Sequence, residues 1–132
     1  LTLVERLVEA ARGAERAGIR IGDTVAVFAQ GPIGRCATAG AKLSGATTVI
    51  GVDRLANRLE IARRMGADHA IDSSRTDPVE EIMRLTDGRG VDVAIVNARV
   101  LTAVRRGAVL EGGLADWSGS STVCLSGTAS AT

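Results

Sequence analysis

Strand and helix signals alternate along this chain, and that alternation leaves few architectures open to it. TVAVFA (24–29), TTVIGVD (47–53), HAID (69–72) and VDVAIV (91–96) are short runs rich in apolar and β-branched residues. Helical patterning fills the gaps between them. A small-residue helix is expected from about Ile33 to Leu43, with Ala37, Gly40 and Ala41 thinning one face. The next places Leu55, Leu59, Ala62 and Gly66 on one side, with Glu60 and Arg64 paired outside and Gly66 ending it. TDPVEEIMRLTDG (76–88) carries a full set of helix signals: Asp77 as N-cap, Pro78 in the first position, Glu80 as capping-box partner and Gly88 as terminator. Strands and helices taking turns in this way predict an α/β fold with a parallel sheet.

The turn after the first strand reads Ala29-x-Gly31-x-x-Gly34. This is the dinucleotide fingerprint with alanine at its first position, placed where it belongs, between a strand and the mouth of a helix. Glycine at 31 lets backbone N–H groups approach a pyrophosphate, glycine at 34 lets helix and strand pack closely, and the helix N-terminus faces the anion. The second half of the pattern is an acidic residue about twenty positions on, at the end of the next strand. Asp53 stands nineteen residues after Gly34. Its carboxylate can accept the ribose hydroxyls, cap the helix that follows, or do both. An ionised Asp53 repels a 2′-phosphate, which favours NAD over NADP, and Arg54 and Arg58 temper that preference. The fold class is therefore a partial, doubly wound parallel sheet of the Rossmann type, of about four strands in the order 3-2-1-4.

The flanks read differently. Residues 1–12 form an amphipathic helix, with Val4, Leu7, Val8 and Ala11 at helical spacing between Glu5, Arg6, Glu9 and Arg12. Residues 13–96 form the dinucleotide-binding domain. Residues 97–132 are Ser-, Thr- and Gly-rich toward their end and are expected to be a mobile tail.

Composition excludes several function classes. Phe28 and Trp117 are the only aromatic residues, too few for base stacking, and 16 basic against 15 acidic residues give no polyanion-binding block or membrane-binding charge. No nucleic-acid or membrane partner is expected. No apolar run approaches the roughly 20 residues of a bilayer span, and Glu5 and Arg6 interrupt any signal-like stretch, so a cytoplasmic protein is expected. Cys36 and Cys124 form no CxxC or Cys/His cluster, and His69 is the single histidine. No metal ligand set and no catalytic residue can be assigned from such an inventory.

Three segments, GDTVAVFAQGPIG, GATTVIGVDRLANRLEIARRMGADHAID and DPVEEIMRLTDGRGVDVAI, resemble consecutive parts of the nucleotide-binding domain of the zinc-type medium-chain alcohol dehydrogenases. The resemblance covers roughly Gly13 to Ile95. It implies that Gly31 and Gly34 meet the pyrophosphate of NAD(H), that Ile33 packs behind the nicotinamide ring, and that Asp53 holds the adenosine ribose. It also implies hydride transfer between an alcohol and nicotinamide. The family's catalytic zinc is held by a separate N-terminal domain whose ligands this sequence does not contain. After Ile95 the sequence departs: VNARVLTAVRRG stands where the family continues with a glycine, a helix and a fifth strand, as after truncation or a frame change. The fourth strand is then expected to be an unpaired apolar edge, open to homo-oligomerisation. Arg35 is a further departure, since the family usually has an apolar residue there. Two alternatives stay open, a non-catalytic remnant or association module, and a zinc-free quinone reductase-like member.

Overall fold

A computed structural model of the chain describes residues 2–97 and 101–105. Helix α1 (Leu3–Ala17) leads into strand β1 (Thr24–Phe28), then α2 (Pro32–Leu43), β2 (Thr48–Asp53), α3 (Ala56–Arg64), β3 (His69–Asp72), α4 (Pro78–Leu85), β4 (Val93–Asn97) and β5 (Leu101–Arg105). The sheet order is β3-β2-β1-β4-β5. Four strands run parallel in the expected order, with Val25 opposite both Val49 and Val93, and Ile50 opposite His69.

Each parallel crossover carries one helix, and the sheet is covered on both faces. On one side Val25, Val27, Val49, Val93 and Ile95 pack with Ala37 and Ala41 of α2 and Ala10 and Ala17 of α1. On the other Ala26, Ile50, Val52, Ile71 and Ala94 pack with Ile82 of α4. Burial on both faces explains why the β1, β2 and β4 sequences are apolar at nearly every position instead of alternating. Alanines and valines dominate because α2 lies close to the sheet. Helix α3 also comes close: at Gly51 a Cβ would meet Ala62 Cβ of α3 at 3.3 Å and Gln30 Nε2 at 3.1 Å. Aspartates fasten two strand beginnings at the opposite end of the sheet, Asp92 accepting from Thr24 N–H at 2.9 Å and Asp68 from Val49 N–H at 2.8 Å.

The structure corrects several expectations. The fourth strand is not an open edge: β5 pairs with it antiparallel, Ile95 opposite Ala103 and Asn97 opposite Leu101. Residues 98–100 are too short a link for a parallel crossover, which needs a dozen or more residues, so reversal is the only pairing available. The sheet thus has five strands, and the segment assigned to a tail from 97 onward contains β5; its later part, 106–132, lies outside the described residues. Helix α1 runs past residue 12 to Ala17, where Gly18 closes it at φ 63°. Its buried contacts come from Ala10 and Ala17, whereas Leu3, Val4, Leu7 and Val8 are exposed. Asp77 caps α4 by accepting from Val79 N–H, without the reciprocal Glu80 bond. Glu60 pairs with Arg63, not Arg64.

Candidate functional site

The order 3-2-1-4 reverses at β1: the chain leaves β1 toward β2 and returns from β3 to the other side at β4. A crevice opens at the carboxyl ends of the strands at such a switch point, because the outgoing connections lie on opposite faces. The fingerprint turn, Ala29 to Gly34, sits in it. Gly31 is the N-cap of α2 and offers no side-chain cap, and Pro32 follows it at the first helical position. Among the described residues, no acceptor meets the N–H groups of Ile33 or Gly34. A Cβ built on Gly31 meets nothing within 4 Å, and the residue's φ of −67° is open to any amino acid. The fold therefore does not itself require glycine at 31.

Asp53, at the end of β2, is brought directly to this turn. Gln30 N–H donates to its Oδ2 at 2.7 Å, while Arg54 and Leu55 N–H donate to Oδ1 at 2.6 and 3.1 Å. The Arg58 guanidinium stands 3.7 Å from Oδ2. Burial by itself raises the Asp53 carboxyl. The backbone donors of Gln30, Leu55 and Arg54, followed by the Arg58 charge, outweigh it and hold the pKa below the ordinary 3.8. The aspartate is thus ionised at neutral pH and nearly buried, at 8 % exposure. Beside it lies an open cleft of about 410 Å³ lined by Phe28, Ala29, Val52, Arg54, Arg58, Ser73 and Pro78.

Two residues that sequence reasoning passed over hold the turn from below. Gln30 is wholly buried, its Nε2 donating to the Val27 carbonyl at 3.1 Å. Thr38 Oγ1 lies 3.0 Å from both Gln30 Oε1 and the Gly34 carbonyl, so one hydroxyl proton serves two acceptors. The available signal was polarity out of place: a glutamine inside an apolar turn and a threonine in an alanine-glycine helix. Ala29 has φ 72°, the left-handed region, and its N–H donates to the Val52 carbonyl at 2.8 Å, tying β1 to β2 at the point where the turn begins. Ile33 is half-buried and packs on the cluster formed by Val25, Val27, Val93 and Ile95.

The zinc-binding dehydrogenase family model matches residues 32–107. The chain belongs to this family. The match runs through β5 and so extends beyond Ile95, the end of the resemblance legible in the sequence. An alcohol dehydrogenase of Cupriavidus necator is 66% identical over 84 residues, which are 64% of this chain and 23% of that protein. A solved alcohol dehydrogenase zinc-binding domain protein from Burkholderia ambifaria superposes with a TM-score of 0.71 at 32% identity, covering 91% of this chain and 28% of the other. A zinc-binding dehydrogenase from Sinorhizobium meliloti, solved bound to NADP, gives 0.68 at 40% identity over 72% of this chain and 28% of its own. The chain thus spans about a quarter of the length of these dehydrogenases.

The family's metal finds no ligand set in the part described. Among the described residues no group of three or more His, Cys, Asp or Glu side chains could hold a metal ion. No helix among them is long and apolar enough to cross a membrane.

Proposed function

We propose that this chain binds a nicotinamide dinucleotide, NAD in preference to NADP, as the cofactor domain of a cytoplasmic dehydrogenase acting on an alcohol. The observation that carries the reading is the junction of Asp53 with the fingerprint turn, an ionised carboxylate 2.7 Å from Gln30 N–H beside an open cleft. In this reading the pyrophosphate lies over Gly31 and receives the N–H groups of Ile33 and Gly34, favoured by the positive end of α2. Gly34 keeps α2 close to β1. Ile33 forms the apolar backing of the nicotinamide. Asp53 accepts from the adenosine ribose, and its charge opposes the extra phosphate of NADP. Bound nicotinamide supplies a hydride acceptor for the alcohol carbon. Because the described residues do not fit zinc, the activation of the alcohol is not assigned to them.

Titration of the chain with NADH and NADPH tests this, alongside Gly31→Ala. A methyl group at 31 meets no atom of the described residues, so the variant is expected to fold and to melt within about 6 °C of wild type, the N-cap preference for glycine over alanine being about 1 kcal/mol. Its NADH affinity is expected to fall at least about tenfold, since the methyl occupies the pyrophosphate's approach. A folded wild-type chain that gives no binding signal at millimolar NADH would refute the proposal.

A further inference from the structure

Arg35 occupies the first turn of α2, where a cation is out of place. The N-terminal end of a helix carries positive potential, and the other side chains of this turn include no acidic residue to balance it. The side chain does not escape into solvent. It is half-buried and folds back toward the fingerprint, its Nε 3.4 Å from the Gly31 carbonyl oxygen, which also accepts Arg35 N–H at 2.9 Å. Among the described residues no carboxylate pairs with it, so four of its five N–H donors have no protein acceptor there. By contrast Arg58, which lines the cleft beside Asp53, has a carboxylate oxygen 3.7 Å away.

A guanidinium held beside a helix N-terminus without a counter-ion is unfavourable in the free chain and becomes favourable when an anion arrives. We infer that Arg35 is an additional ligand for the pyrophosphate of the dinucleotide, its free donors closing over the phosphates from the α2 side while its Nε keeps the side chain on the Gly31 carbonyl. The inference rests on the proposed dinucleotide site and adds to it a residue that neither the fingerprint nor the ribose acid supplies. Guanidinium geometry suits two phosphate oxygens at once, which a lysine in the same place would not match.

The discriminating signature is a change of sign between the free and bound chain. Arg35→Leu removes a charge that opposes the helix dipole, so its melting temperature without ligand is expected to hold or to rise by about 1 to 4 °C. Its NADH affinity is expected to fall roughly tenfold, with Arg35→Lys recovering part of the loss. Adenosine, which has no phosphate, is expected to bind both alike. Inorganic pyrophosphate is expected to stabilise wild type thermally and to have little effect on Arg35→Leu. Unchanged NADH affinity in Arg35→Leu overturns the inference, as does a fall in its ligand-free melting temperature matched by weaker adenosine binding, the mark of a structural role. If wild type binds pyrophosphate through Arg35 but not NADH, the Arg35 site stands and the dinucleotide reading falls. If it binds neither, both fall.

Discussion

Replacing Asp53 by asparagine separates what this carboxylate does for the fold from what it does for a ligand. Three backbone N–H groups from two different loops converge on it, Gln30 on Oδ2 and Arg54 and Leu55 on Oδ1. An amide of the same shape has one acceptor oxygen. Directed at Arg54 and Leu55, it leaves its NH2 facing Gln30 N–H, donor against donor. Gln30 is wholly buried, so its N–H cannot turn to water, and an unsatisfied buried donor costs about 1–3 kcal/mol. The other two bonds pass from a charged to a neutral acceptor and lose roughly half their strength, together about another 1 kcal/mol. The sum is about 2–4 kcal/mol. For a domain of this size that lowers the melting temperature by about 8–16 °C.

Acid titration supplies the internal control. The folded pKa of Asp53 is depressed below the ordinary 3.8, so its contribution is complete above that value and is lost as pH falls through the folded pKa. Asparagine has no such proton. Thermal melts followed by circular dichroism at pH 7, and then at steps below 3.8, are expected to show a wide gap between wild type and Asp53→Asn that narrows in acid. A gap under about 2 °C at pH 7, or one that does not change with acidification, would refute the reasoning from those three donors.

Two further substitutions test the turn itself. Ala29 holds φ 72°, which costs an L-residue about 1–2 kcal/mol, while glycine gives back about 0.5–1 kcal/mol through the freedom of its unfolded chain. Ala29→Gly is therefore expected to stabilise by about 0–1.5 kcal/mol in a denaturant titration, and a clear loss of stability would show the turn to be unstrained. Gly51→Ala places a methyl 3.1 Å from Gln30 Nε2 and 3.3 Å from Ala62 Cβ, between β2 and α3. Overpacking of this kind costs about 1–3 kcal/mol, and because it presses on Gln30 it is expected to weaken NADH binding too; an unchanged unfolding midpoint would contradict it.

The parallel half of the sheet was legible because burial on both faces writes itself into sequence as apolar runs, and the crossover helices as periodic ones. The meeting of Asp53 with the turn that carries Gly31 and Gly34 was legible for a related reason: a glycine-spaced strand-to-helix turn and an acidic residue ending the next parallel strand fall side by side at the same end of the sheet. Gln30 was not, since the fingerprint leaves its position free, and only the structure shows the side chain turned inward between β1 and α2. Nor was β5, whose pairing depends on a connection three residues long more than on anything distinctive in LTAVR. The apolar stripe of α1 points to a different limit. Periodicity marks which residues share a face, but it does not say whether that face is the one turned to the core, and here Ala10 and Ala17 are turned inward while Leu3 and Val4 are not.

The same lone-pair accounting constrains how Asp53 can meet a ribose. A carboxylate offers about four acceptor positions, and three are filled by backbone N–H groups. The fourth lies toward Arg58, 3.7 Å away and 41% exposed, a loose ion pair of the kind worth at most about 1 kcal/mol. A ribose hydroxyl entering the cleft can take that position by moving Arg58 aside at little cost, whereas a second hydroxyl would have to displace a backbone donor and loosen the turn. One strong hydroxyl contact fits this geometry better than two. Arg58, once displaced, stands where it could partly neutralise a 2′-phosphate, so the proposed preference for NAD depends on the carboxylate staying charged, which the Gln30, Arg54 and Leu55 amides secure.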